Sequence, residues 1–573
     1  MGMELYYRNL RRAVIVLVVS FIIIIGSLGS DEGYDVEAAH MGNMEPAGEL
    51  GDLFVWVGHG ISVRWWRDER NDRYVLFIPG AADKKLKLTF SGVDNIYIDD
   101  QKIDNGEKYH FTEGSHILQF GGWGSESVCD LEVLYTSDIA SLFLETESGT
   151  LDYIHTSKDH LESGRIQVLD GKGYKYYEGN IEEIHCRGNS SFENTDKKSY
   201  TIKLSQKAGL FGMGAAKKWI LVANAFDDTL LRNTTAFSVA QILQLSYTPR
   251  VQYVDVYANG MYIGNYLLCE KIEIGKDRVE VRNLEREVEV LNGEAVPDNM
   301  EFFMEQQGRL FSTKGYRIER EAKDISGGYL LELDTSDRYG LEASGFLTSR
   351  MQPVVFASPK YASYDQVSYI ANIYQDFEDA VFSENGCSPY TGAVYSDYID
   401  MDSFARKYLL EELVKNLDAS YTSQYFYKYD DSVSSKFFAG PCWDYDKSIA
   451  ASGITEDGID LHDPEGLYAA VQKKDSDIWY ALYQHEDFRR KVAEIFFTEL
   501  APQLREQADD ILYTNKSLIS MSNKCNMIRW NTFPQLETYE QKQEMYGRKV
   551  DELAEFIEKR LDFLAREWGS LKT

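Results

Sequence analysis

His185-Cys186-Arg187-Gly188-Asn189-Ser190-Ser191-Phe192, followed after a short gap by Lys197-Lys198-Ser199-Tyr200-Thr201-Ile202-Lys203, is the stretch on which the reading turns. From His185 to Lys218, seven Lys and Arg stand against Glu193 and Asp196, a local charge of +5. The whole chain carries −32, with 60 Lys and Arg against 92 Asp and Glu. A positive island in so acidic a chain points to an anion site. Arg187 supplies a guanidinium and Gly188 a permissive backbone. Asn189 tolerates the left-handed region, and Ser190 and Ser191 add hydroxyls. Together with loop N–H groups these suit a phosphate. Beyond the loop, Tyr200, Ile202 and Leu204 alternate with Thr201 and Lys203, which predicts a strand with Lys203 on its less buried face.

Working outward, the spacing predicts a helix over 401–417 that ends in Asn416-Leu417-Asp418. Gln424 then opens a strand, and Gly440-Pro441-Cys442-Trp443-Asp444-Tyr445-Asp446 follows the next one. In a loop, Asp444 and Asp446 can both reach one divalent ion. Phosphoryl transfer needs an acid that accepts a hydroxyl proton and a separate acid that holds Mg²⁺. Asp418, Gln424 and Asp444 occur in the order those roles require. Asp460-Leu461-His462-Asp463 is a second carboxylate run, read as loop capping before Pro464.

The rest of the chain frames these segments. Arg8, Arg11 and Arg12 precede an apolar run of 16 residues, 13–28, which meets Ser30, Asp31 and Glu32. That is the layout of an export signal. The run is short for a full span, so a cleaved signal and a membrane anchor both stay open, with residues 31 onward outside the cytoplasmic membrane. Residues 31–51 read as a linker. Strands at 53–57, 74–78, 86–90, 96–98, 116–120 and 131–135, separated by turns, predict a small all-β sandwich over 52–137. Trp56, Trp65, Trp66 and Trp123 belong to it, as core and edge packing or as a sugar-stacking platform. From 138 the pattern becomes mixed α and β. Asn259-Gly260 between apolar runs is a hairpin signal. Residues 284–323 are charged and poorly patterned, and read as an inserted loop. Val550, Leu553, Ile557, Leu561, Leu564 and Trp568 form one helical stripe in a helical C-terminal region.

Composition closes other classes. Charge of this sign repels nucleic acid. Six cysteines in 573 residues, none as Cys-x-x-Cys, read as buried thiols rather than a disulfide scaffold. There is no His-Glu-x-x-His zinc motif and no Gly-x-Ser-x-Gly nucleophile elbow.

The chain resembles the CotH family of spore-coat-type proteins with an atypical protein-kinase fold. Besides the loop and strand above, the resemblance rests on Lys218-Trp-Ile-Leu-Val-Ala-Asn224, Asp228-Thr-Leu-Leu-Arg-Asn233 and Asn259-Gly-Met-Tyr-Ile-Gly-Asn-Tyr-Leu-Leu-Cys-Glu270. Gly327-Gly-Tyr-Leu-Leu-Glu-Leu-Asp334, Asn416-Leu-Asp418 and Trp443-Asp-Tyr-Asp446 complete it, over residues 138–573. The resemblance implies an α+β kinase-like domain that uses ATP and Mg²⁺ or Mn²⁺. It implies Asp418 as catalytic base. Arg187, Gly188, Asn189, Ser190, Ser191 and Lys198 would hold phosphate, Lys203 the α/β-phosphates, and Glu270 would lie near the adenine hinge. Asp444 and Asp446 would hold the metal, with Gln424 standing where an Asn ligand is expected. Such a protein would phosphorylate Ser or Thr of coat or cell-surface proteins outside the cytoplasmic membrane. The alternative is an inactive surface-assembly protein that keeps the fold and binds a partner or cell-wall glycan through its β domain.

Overall fold

The computed structural model describes residues 52–122, 125–293, 300–453 and 458–572. The apolar run 13–28, the linker 31–51 and Trp123 lie outside the described residues. Those described fall within one compact unit and mix helices with sheets.

Period-two alternation builds the first layer. In Leu53–Gly58 the residues Leu53 and Val55 turn inward while Trp56 is 37% exposed. Two sheets close on one core that includes Val55, Trp65, Leu76, Leu88 and Leu131. One runs Ile61–Arg64, Leu53–Gly58, Lys85–Phe90, Lys108–His110. The other runs Trp66–Asp68, Arg73–Ile78, Ser125–Tyr135, Gly114–Gly122, Asn95–Ile98, Gln101–Ile103. The three described tryptophans of this domain, Trp56, Trp65 and Trp66, do not share a platform. Trp65 is in the core, and the guanidinium of Arg529 sits 4.8 Å from the Trp66 ring.

Next comes a closed barrel of seven strands. Its spatial order is Ala140–Thr146, Glu162–Leu169, Lys175–Arg187, Ser199–Ala208, Ala216–Val222, Met261–Glu270, Val251–Ala258. A parallel pairing of Val251–Ala258 with Ala140–Thr146 closes it. Asn259 and Gly260, at φ 50° and 83°, make the two-residue turn between the last two strands in sequence. Both turn residues lie in the left-handed region that such hairpins require. The Lys203 strand buries Tyr200, Ile202 and Leu204 as its alternation dictates.

A third sheet follows, ordered Glu301–Glu305, Ser312–Arg317, Gly345–Leu347, Pro353–Ser358, Tyr329–Leu333, Gln424–Lys428, Phe437–Ala439. The stretch 284–323 is thus more than a loop. It supplies the helix Leu284–Leu291 and two strands of this sheet. Leu284, Val288, Phe303 and Leu310 are among its buried anchors, while Arg286 and Glu301 are exposed.

Helices complete the unit. In Tyr539–Glu567 the stripe Val550, Leu553, Ile557, Leu561, Leu564 is buried, and Trp568 just beyond is fully covered. Arg560, on the same helix and 0% exposed, donates to Glu412 Oε1 at 2.6 Å, to the Glu412 carbonyl at 2.8 Å and to the Pro464 carbonyl at 2.8 Å. The helix Ser520–Trp530 lies on the barrel, where Arg529 Nε donates to the Tyr262 carbonyl and Trp530 Nε1 to that of Ile263. All six cysteines are free. Among the described residues no helix is long and apolar enough to cross a membrane.

Removing one partner of a buried ion pair strands the other charge, which costs about 3–5 kcal/mol. Arg560→Met keeps most of the volume and loses the charge. It should lower the unfolding free energy by that amount, read as a drop in the urea midpoint with unchanged slope.

Candidate functional site

Three carboxylates meet where the helix Met401–Val414 ends. Lys415 closes this helix in the left-handed region, φ 44°. The chain then turns so that Asn416 Nδ2 donates to Glu411 Oε2 at 2.9 Å while Asn416 Oδ1 accepts from the Asp418 N–H at 3.2 Å. After Phe437–Ala439 a second loop brings Asp444, Tyr445 and Asp446 alongside. Two backbone hydrogen bonds zip the loops together, from Leu417 N–H to the Lys447 carbonyl and from Ile449 N–H to that of Val414. The Tyr445 hydroxyl donates to Glu411 Oε1 at 2.7 Å, and its N–H donates to Asn233 Oδ1 at 2.8 Å. Asp444 sits at φ 68°, a strained conformation for a residue with a Cβ.

The electrostatics follow from this crowding. Burial, and then the neighbouring Asp444, push Asp418 up to about 7, against the pull of Lys447. Burial also raises Asp444, opposed by Arg187, Lys447 and the Ser423 hydroxyl. Asp446 is held well above the carboxylate range by burial, then by Asp444 and Asp227. Carboxylates thus outnumber the cations, Arg187 and Lys447, that act on them. Arg187 reaches it from the barrel, its guanidinium 5.0 Å from the Trp443 ring centroid. Across the cleft Glu332 is lifted to about 8 by burial and by Asp334.

Arg187, Asp418, Asp444 and Asp446 are thus brought together. Other expected contacts lie elsewhere. Lys203 Nζ pairs with Glu183 at 2.6 Å and Glu182 at 3.2 Å. Lys198 Nζ donates to the Phe192 and Thr195 carbonyls and so fastens its own loop. Glu270 is clamped by Arg278 at 2.6 Å and Arg250 at 2.7 Å. It does line a cavity of about 280 Å³, together with Tyr247, Ile272, Val279 and Pro441. Gln424 is fully buried on the strand face it shares with Phe426, and neither of its amide atoms has a hydrogen-bond partner. Ser423, just before it, turns its hydroxyl toward Asp444 at 3.5 Å.

In the loop, Gly188 has φ 94°, and a Cβ there would stand 2.1 Å from Ser191 Oγ. Asn189 accepts from Lys158 at 3.0 Å, and Ser190 and Ser191 open a single helical turn, Ser190–Asn194. The loop's tail, Thr195 to Lys197, lines a cavity of about 610 Å³ that also contains Asp446 and Lys447. Asp460 and Asp463 cap their own turns, accepting from the N–H groups of His462 and Glu465. Among the described residues no group of three or more His, Cys, Asp or Glu is placed to hold a metal.

Sequence reasoning missed Lys447, Ser423 and Glu332. Lys447 directly follows Asp446, a signal open to reading. Glu332 is visible only once the strand Tyr329–Leu333 is set beside Gln424–Lys428, where it pairs with Tyr425.

A protein-family model described as "CotH kinase protein" matches residues 184–564. No curated protein matches the chain.

Asp418 holds its proton more tightly in the fold than in the unfolded chain, so its cost to stability builds from about pH 4 up to about 7, is complete above 7 and is absent only below 4. In EDTA, Asp418→Asn should raise the melting temperature by about 2 °C or more at pH 8, by less at pH 5, and leave it nearly unchanged at about pH 4. Calorimetry at the three pH values checks the difference.

Proposed function

The chain belongs to the CotH kinase family, whose model spans well over half of it, and we propose that it transfers the γ-phosphoryl group of ATP to a Ser or Thr hydroxyl. The observation that carries this reading is the convergence of Asp418, Asp444 and Asp446, tied by Glu411 and faced by Arg187.

The residues fit a divalent ion of the Mg²⁺ type. Such an ion takes one or two protein carboxylates and completes its shell with phosphate oxygens and water. Asp444 and Asp446 supply two under-compensated carboxylates, and no third protein ligand is needed. When bound, the ion offsets charge on the phosphates. Arg187 adds a fixed positive charge on the barrel side. The cavity that Tyr247, Ile272, Val279 and Pro441 share with charged residues, Glu270 and Lys271 among them, offers a purine ring apolar surface beside polar groups.

Asp418 is the general base. Its proton affinity near neutral pH suits the task. As the acceptor oxygen bonds to γ-phosphorus, the hydroxyl proton passes to Asp418. The bond from γ-phosphorus to the bridging oxygen breaks, and ADP leaves with the electron pair. The basic, then apolar, N-terminus supports action outside the cytoplasmic membrane, on a coat or surface protein, with the β domain available for a glycan or protein partner.

The commitments of Lys203 to Glu182 and Glu183, and the burial of Gln424, favour a second reading, a surface-assembly protein without activity. Labelled-phosphate transfer from γ-labelled ATP decides between them. Asp418→Ala and Asp444→Ala should each reduce transfer by about 10²–10⁴-fold. Absence of both transfer and metal-dependent ATP binding in the wild type would sink the kinase reading.

The two basic residues are distinguished by a binding measurement. Arg187→Ala should weaken ATP binding by about 10-fold or more, the worth of one charge-assisted hydrogen bond. Lys203→Ala should change it by less than about threefold, because its charge is already spent on an exposed ion pair.

A further inference from the structure

Lys447 is the cation the three acids share. It pulls down Asp418, Asp444 and Asp446 alike. Its backbone is pinned opposite Asp418 by the Leu417 N–H. Its ammonium stands 4.2 Å from the Phe226 ring centroid and, among the described residues, makes no hydrogen bond or ion pair. The other lysines near the loop are engaged, Lys197 and Lys198 with carbonyls and Lys203 with glutamates. Lys447 is therefore a charge held against an aromatic face and near three acids, with no hydrogen bond or ion pair of its own among the described residues.

Asn224 makes the second, independent observation. It is 2% exposed and lines the 610 Å³ cavity with Lys447 and Asp446. The Tyr445 N–H donates to Asn233 Oδ1, so the Asn233 amide nitrogen faces Asn224 and donates to its Oδ1 at 2.9 Å. The orientation of Asn224 follows from that chain: its oxygen is used, and its Nδ2 is left buried with no partner. An unmet buried donor is costly unless something else meets it. Here it sits in the same cavity as an unpaired ammonium and beside the metal-loop acid.

We infer that Lys447 and Asn224 form the subsite for the γ-phosphoryl group, on the cavity side of Asp446. The inference rests on the kinase reading and names which groups meet the group that is transferred. Two donors, one charged and one neutral, suit a phosphoryl group with three exposed oxygens. They act on the part of ATP that ADP lacks.

The test is calorimetric binding of ATP and of ADP, each with Mg²⁺, to the full chain. Wild type should bind ATP more tightly than ADP. Lys447→Met should weaken ATP by about 10- to 100-fold and ADP by less than about threefold, abolishing the preference. Asn224→Ala should reduce the preference by a smaller factor, and Lys447→Arg should restore most of it. The inference is overturned if Lys447→Met keeps the wild-type ratio, even with a higher KM for the acceptor. Equal losses for ATP and ADP would mark a structural role and overturn it too, as would a wild type with no preference for ATP. A wild type that binds neither nucleotide removes the kinase reading itself, and that result is distinct from all of these.

Discussion

Glu411 is the residue on which the site depends. It lies 0% exposed on the helix Met401–Val414, and three groups converge on its carboxylate: the Lys407 ammonium, the Tyr445 hydroxyl and the Asn416 amide. Each comes from a different piece of the chain: its own helix, the loop of Asp444 to Asp446 and the turn of Asn416 to Asp418. A carboxylate buried without partners is prohibitive, so the loops must stay where they satisfy it. Its neighbour Glu412 does the same for the C-terminal region. It receives Arg560, the Tyr408 hydroxyl and the N–H groups of Tyr468 and Ala470. Two adjacent acids thus anchor the loops of Asp418 and Asp444 on one side and the helical cap on the other.

Much of this was legible in the residues. The Val550 to Trp568 stripe, the Asn259-Gly260 turn and the strand with Tyr200 and Ile202 inward are local patterns, and periodicity reads local patterns well. Asp418, Asp444 and Asp446 were legible because the chemistry needs acids in loops after defined elements. What stayed hidden depends on register between distant strands. Alternation placed Lys203 on the less buried face of its strand, but only pairing with Lys175–Arg187 sets it beside Glu183. Gln424 opens its strand with both amide atoms buried and unpartnered, and Ser423, in the turn before it, sets its hydroxyl 3.5 Å from Asp444, a contact that no local pattern announces. The helix Leu284–Leu291 was masked by its own charges, since only Leu284 and Val288 are buried in it.

The charge distribution shows the same division. The +5 island does not act as one patch. Lys198 and Lys203 are consumed in holding loop and strand, and Arg187 alone of the expected cations faces the acids. Lys447 lies outside that island, directly after Asp446. Local composition pointed to a patch of positive charge, and the fold decided which of its charges face the acids.

The barrel has a consequence for how the protein is made. Its closing pair joins Ala140–Thr146 to Val251–Ala258, strands more than a hundred residues apart in the chain. The first strand therefore waits, its backbone groups unpaired on one side, until the hairpin around Asn259 has emerged and docked. Such long-range closure is slow compared with local helix formation. Arg187 stands on a strand in the middle of that sheet, so the site cannot assemble before the ring does. The ring can close only once the chain has reached Glu270 of its 573 residues, and the acids at 418, 444 and 446 join Arg187 later still.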